Sequence, residues 1–414
     1  MTTKGSGLNI YNKIPNENSI ITYYQRFTNK MRKIGILTYI KEFANLGTNM
    51  QSYCTLKAIQ KQFPHDQVEI IDYSGWKPAM KPYLSQISLK SLINDYIRIL
   101  KYKNFFKNDY TFSKSKLITA NLKDSIDFIN NQNYDAIFVG SDTLLELKRA
   151  GKDELTAYWL DDTIKCNKFL IAASSHNVTF ESLSDPQKSH IQSTINDFSL
   201  LGVRDEATFR LLSYFIEPGD VRLKIIPDPT FTFEIDYRYI EEYFIQKKLF
   251  FQKPIICLHL MRNTKWASAL ADYFREEGYI IASLRPAYYA DIIFTDLSAF
   301  EQIGLYKYFD LVITHRFHDS IFCIKNLTPV IVFPEYFSDV TMYDENKNKT
   351  LFKSFNIEEN YISNRDNLNA ESIFEMHKQA ITNFKNNKTF IQYKLLENKN
   401  IYESFVRESG KLLI

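Results

Sequence analysis

The stretch Leu311–Phe333, LVITHRFHDSIFCIKNLTPVIVF, sets His315, Arg316 and His318 between an apolar run and a segment patterned as a helix. The chain has only seven histidines in 414 residues, so two at one junction ask for an explanation. Imidazole, with an ordinary pKa of about 6.5, moves protons near neutral pH. A guanidinium fork recognises carboxylate or phosphate bidentately. A helix amino terminus adds unpaired N–H groups and the positive end of a dipole. Together these would make an anion site with a proton shuttle, His318 being the residue suited to general acid–base work. A plainer reading pairs Arg316 with a carboxylate and leaves His318 as a satisfied core imidazole, and the motif alone does not choose between them.

Further residues fall at similar junctions. Arg204 follows a short apolar run in LLGVRDEAT, Gly140, Ser141 and Asp142 end YDAIFVGSD, and His176 follows KFLIAASS. His176 could touch an acceptor or be a surface-loop histidine. Arg262, in HLMRNT, opens a second helix amino terminus where phosphate could bind. Asp319 is either a helix N-cap with its charge turned away or a carboxylate beside the anion site. No HExxH, nucleophile elbow, Walker loop or GxGxxG occurs, and no spacing demands a metal. The four cysteines are scattered and read as reduced thiols rather than a zinc site or disulfides.

The elements that must position these residues alternate. KIGILTY (33–39), a helix over 49–63 and QVEIIDY (67–73) form a βαβ unit. Residues 88–131 read as mostly helical. Strands follow at 134–142, 168–175 and near 200, with helices over 184–198 and after Arg204, and 221–233 closes this half. After a charged, aromatic connector the alternation restarts at PIICLHL (254–260), followed by a helix running from a Thr264 cap to Gly278. YIIASL, DLVITH and PVIVF are strands, with a helix over 298–309 between. The expected architecture is α/β, two doubly wound Rossmann-like halves facing across a cleft with a helical, charged C-terminal tail. The divisions read as a leader (1–31), an N-terminal domain on the acceptor side (32–233), a connector (234–253), a C-terminal domain on the donor side (254–370) and the tail (371–414).

Composition narrows the partners. Lys and Arg total 51 against 48 acidic residues, a net charge of +3, too balanced for a nucleic-acid surface. The first 31 residues lack an apolar h-region, and no window approaches a membrane span, so a soluble, cytoplasmic protein is expected, with peripheral contact at the inner membrane face left open. The run Tyr96–Tyr110 interleaves Arg98, Lys101, Lys103 and Lys107 with aromatics, as an interfacial helix does; a solvated face with core aromatics explains it equally. Oligomeric state is not legible.

An ordered series of segments resembles the polysaccharide pyruvyl transferase family. NLGTNMQSYCTLKAI is similar to its first loop and helix at Asn45, Gly47 and Gln51. YDAIFVGSD resembles its Gly-Ser-Asp segment at Gly140, Ser141 and Asp142, LLGVRDEAT its Val-Arg segment at Arg204, IPDPTF its Asp-Pro segment at Asp228 and Pro229, and ITHRFHDSIF its Arg-x-His-Gly signature at Arg316, Phe317 and His318. The resemblance implies a GT-B-like enzyme moving a unit of phosphoenolpyruvate onto two hydroxyls of a sugar in a lipid-linked or surface glycan, with no cofactor beyond that co-substrate. It implies that Arg204, Arg316, Phe317 and His318 bind the donor, the two arginines meeting across the cleft. Asn45, Gly47 and Gly140–Asp142 become cleft or acceptor candidates with His176, Arg262 and Asp319. Asp319 replaces the signature glycine, and TLLEL follows Gly-Ser-Asp where Gln and Trp are usual. A nucleotide-sugar glycosyltransferase and a catalytically degenerate glycan-binding member remain the alternatives.

Overall fold

A computed structural model describes residues 31–40, 45–76, 89–147, 150–176, 178–260, 265–334, 347–363 and 369–413. Short runs of Ile, Val, Leu and Phe form strands buried on both faces, as AIFV in β4 (Ala136–Val139) and LVIT in β11 (Leu311–Thr314) show. Such runs suit parallel sheets covered by helices on each side. The first sheet has seven strands in the order β3 (Phe112–Ile118), β2 (Gln67–Ser74), β1 (Lys33–Leu37), β4, β5 (Asn167–Ala173), β6 (Phe198–Val203) and β7 (Leu223–Ile225). The second has five, β10 (Ile292–Ile293), β9 (Ile280–Ser283), β8 (Ile255–His259), β11 and β12 (Val330–Val332). All their pairings are parallel. The strand order reverses between β1 and β4 and between β8 and β11, the places where open sheets leave a crevice at their carboxyl ends.

Local sequence sets most helix ends. The helix α1 (Leu46–Gln62) starts where Asn45 accepts from the Thr48 amide at 3.3 Å. Helix α7 (Lys265–Glu276) is followed by Gly278 at φ +89°, the left-handed stop its sequence suggests; the Thr264 cap and Arg262 lie outside the described residues. The stretch expected to be mostly helical contains α2 (Leu89–Asp109) and α3 (Leu122–Asn130), but β3 lies between them. That edge strand is polar and largely solvent-facing, so no apolar run announces it. The connector contains a helix, α6 (Arg238–Lys247), which packs on α8 (Ala299–Leu305) of the second half.

Two features tie the halves together. Helix α2 buries Tyr102, Phe105 and Phe106 in the core and leaves Leu92, Ile93, Tyr96 and Leu100 exposed. Its Lys101 pairs with Glu301 at 2.6 Å, and Asn94 donates to Thr295 at 3.3 Å. At the chain end, α11 (Ala370–Asn386) packs on α7 and β12 of the second half. Its successor α12 (Lys388–Leu412) returns to the first half, where Tyr402 lies 3.2 Å from Thr55. No helix among the described residues is long and apolar enough to cross a membrane.

Candidate functional site

The site forms where α1 meets the helix that follows β11, α9 (Phe317–Lys325). Arg316 occupies the N-cap position of α9 with extended backbone, its amide held by Thr314 Oγ1 at 3.1 Å, so Phe317 and His318 open the helix and enter the cleft. The imidazole of His318 lies against Gly47, whose absent side chain leaves room for it. Phe317 stands edge-on to His318 with ring centroids 5.3 Å apart, and the Arg204 guanidinium lies 5.6 Å from the Phe317 ring centroid.

Asp228 is the buried hub. Its Oδ2 accepts from Gln51 at 2.6 Å and from Arg204 Nη1 at 3.0 Å, and His318 Nε2 stands 3.5 Å away. Its Oδ1 accepts from the Thr230 amide at 3.0 Å and hydroxyl at 2.6 Å. Burial alone would raise this carboxyl's pKa, but His318, Arg204 and Thr230 outweigh it and hold Asp228 well below the usual carboxylate range. It is therefore an anion at neutral pH, and its charge balances Arg204 and faces His318.

Two cavities adjoin this hub. The larger, about 1110 Å3 counting its open mouth, is walled by His176, Arg204, Asp228, Phe317 and Lys347, with Ile401 of α12 on its far side. The smaller is a narrow cleft with room for about one water, walled by Gly47, Arg98, Gln302, Arg316 and His318. Arg204 and Arg316 do not share one cavity, contrary to the expectation that they meet; the His318–Asp228 contact stands between the two spaces. A proton carrier on such a partition can serve ligands on both sides.

Several other expected positions differ. Asp319 neither caps α9 nor points into the cleft as a free carboxylate. It is 3% exposed and accepts from Tyr306 at 2.8 Å and Thr314 at 2.9 Å, with His259 Nδ1 at 2.6 Å. Three neighbours converge on it from β8, β11 and the turn before β11, which outcompetes local capping. Burial opposes its charge, yet His259, Arg316 and Tyr306 hold its pKa well below the usual range. Asn45 acts as the cap of α1. Gly140 and Ser141 are buried under the first sheet's crevice rather than lining either cavity, because Gly140, at φ +144°, packs its Cα against the Ile171 carbonyl. Asp142 accepts from Thr48 at 2.8 Å and so braces α1.

Sequence reasoning placed Gln51 and Asp228 in the similar segments without giving them a role at the site, and missed Lys347, Arg98 and His259 as members of this neighbourhood. IPDPTF and the Gln51 position carried the one available signal, since both belong to the series of similar segments. Nothing local distinguished Arg98 or Lys347 from solvated cations.

The paired sheets, their facing crevices and the returning terminal helix define a GT-B fold. Among solved structures, the spinosyn forosaminyltransferase SpnP aligns with TM-score 0.52 at 10% identity, covering 93% of this chain and 100% of that one. A UDP-GlcNAc 2-epimerase from Neisseria meningitidis bound to UDP-GlcNAc aligns with TM-score 0.53 at 11% identity, covering 92% and 98%. At such identities the likeness is one of fold. No curated protein sequence matches the chain. The family model described as polysaccharide pyruvyl transferase matches residues 45–335, and the chain belongs to that family.

Proposed function

We propose that the protein transfers the enolpyruvyl unit of phosphoenolpyruvate onto two hydroxyls of one sugar, forming a cyclic pyruvate ketal and releasing phosphate. The observation that carries this reading is His318 on the partition between two cavities, with Arg316 beside one and Arg204 beside the other. The donor carries a phosphate and a carboxylate, both suited to guanidinium recognition. The chemistry needs a proton added to the methylene carbon and attack by one hydroxyl on the carbon bearing the phosphate ester. The bond from that carbon to the phosphate oxygen then breaks, and the second hydroxyl closes the ring. One hydroxyl proton balances the new methyl group and the other leaves with phosphate. His318 is the group that would deliver the first proton and collect one from a hydroxyl, with the Asp228 carboxylate 3.5 Å from its Nε2.

The test is incubation with phosphoenolpyruvate and a panel of free and lipid-linked glycans, following phosphate release and the mass of the glycan. His318→Ala should retain donor binding and lose turnover by roughly 100- to 10,000-fold, the range of general acid–base catalysis. Thermal protection by a nucleotide sugar, with none by phosphoenolpyruvate, would instead support a glycosyltransferase.

A further inference from the structure

A groove runs along the edge of the first sheet, between its last strand β7 and the terminal helix α12. One face of α12, from Tyr393 to Glu408, lines it over about 22 Å, with Lys224, Ile225 and Ile226 opposite. Ile225, Ile226 and Ile401 also wall the larger cavity, so the groove and that cavity adjoin. Ile225 and Ile401 are each 41% exposed and form an open lip between the two spaces. Asn398 borders the cavity and Asn400 the groove, and neither carboxamide has a hydrogen-bond partner among the described residues. The charges along the groove are paired, Lys224 with Glu408 at 2.6 Å and Glu397 with Lys394. Tyr393 and Leu396, 60% and 58% exposed, set an aromatic ring and an alkyl group at one end.

This lining suits one chemistry better than its rivals. A nucleotide or phosphate occupant calls for unpaired cations, and a lipid chain leaves carboxamides without partners. A sugar chain presents C–H faces to apolar and aromatic side chains, and hydroxyls to amides that both donate and accept. We propose that the groove between β7 and α12 is an extended acceptor subsite, which holds the sugars adjoining the one that receives the ketal. This rests on the ketal-transfer reading, with the reacting sugar in the larger cavity beside Arg204, Asp228 and Phe317. From there the glycan crosses the lip at Ile225 and Ile401, hydrogen-bonds to Asn398 and Asn400, and stacks on Tyr393. Helix α12 thereby selects oligosaccharide acceptors over single sugars.

Two measurements on the full-length protein test this. In the first, the protein is applied without donor to a printed array of bacterial mono-, di- and trisaccharides. The wild type should hold certain trisaccharides more tightly than their component sugars, and Tyr393→Ala and Asn400→Ala should each weaken that binding roughly 10-fold, as expected for losing one ring contact or one hydrogen bond. Both side chains are exposed, so the variants should melt with the wild type. No oligosaccharide held by the wild type, or equal binding by both variants, overturns the proposal. In the second, phosphoenolpyruvate is added and transfer is followed. The ratio of kcat/KM for a trisaccharide over that for its reacting sugar should fall roughly 10-fold in Tyr393→Ala, the loss falling on KM. Glycan binding that depends on Tyr393, with no phosphate released, supports the groove and removes the transfer reading. Transfer at a rate indifferent to the added sugars keeps the transfer reading and overturns the groove. An effect of Tyr393→Ala seen with lipid-linked acceptors, and absent when the same glycan is freed of its carrier, assigns the groove to the carrier chain and overturns the proposal.

Discussion

Gly47 lies so close to the imidazole of His318 that a Cβ added to it would stand 2.1 Å from Nδ1 and 2.3 Å from Cγ. The glycine is needed for that approach across the cleft, since Gly47 sits in the first turn of α1, where other residues also fit the backbone. Gly47→Ala should therefore drive His318 from its place while helix propensity, worth about 1 kcal/mol in favour of alanine, supports the fold. We expect a melting temperature close to the wild type's and turnover reduced by ~100-fold or more. Full turnover in this variant would show that the position of His318 is immaterial.

Asp228 should prove essential to stability as well as to the site. Asp228→Ala leaves the buried Arg204 without its counter-charge, and breaking a buried pair from one side costs about 3–5 kcal/mol. The carboxyl's pKa is lower in the folded than in the unfolded protein, so its contribution is present above the unfolded value and lost as pH falls below about 4 toward the folded one. Urea midpoints compared at pH 7 and pH 3 should fall less for Asp228→Asn than for the wild type. An equal fall in both proteins would mean that Asp228 contributes no such linkage.

Asp319→Gly restores the glycine of the family signature, and as a mere cap replacement it would cost a few tenths of a kcal/mol. The buried network predicts otherwise. His259 and Tyr306 lose their shared partner, while the Thr314 hydroxyl keeps the His259 carbonyl at 3.3 Å, and each buried polar group left unpaired costs about 1–3 kcal/mol. A denaturation free energy within about 0.5 kcal/mol of the wild type's, small against those costs, would refute this account.

His315 gives the fold a pH dependence of its own. Burial, His259, Arg316 and Arg285 push its pKa down to about 3 against the opposing pull of Asp319. The unfolded imidazole takes up its proton near pH 6.5, so between about 6.5 and 3 the unfolded chain binds more protons and stability falls as pH is lowered. His315→Gln should flatten the change in urea midpoint between pH 7 and pH 5. A slope identical to the wild type's would show that His315 titrates alike in both states.

The alternation of strands and helices, the glycine stop after α7 and the place of Arg316 and His318 beyond a buried strand were all legible in the sequence, because each depends on residues within one or two turns of each other. Apolar runs such as LVIT declare a covered parallel strand, and the residues after such a strand face the crevice whatever lies opposite. The tertiary structure decided what lies opposite. Gly47 against His318, Asp228 between Arg204 and His318, and Arg98 beside Arg316 are contacts between distant segments, set by how the two halves close and by α2 reaching across to Glu301. An aspartate at the third position of a helix can serve a cap, a cleft or a core, and Asp319 went to the core because His259, Tyr306 and Thr314 converged on it. Charge and spacing along the chain are the same in each case; burial and partners choose among them, and both come only from packing.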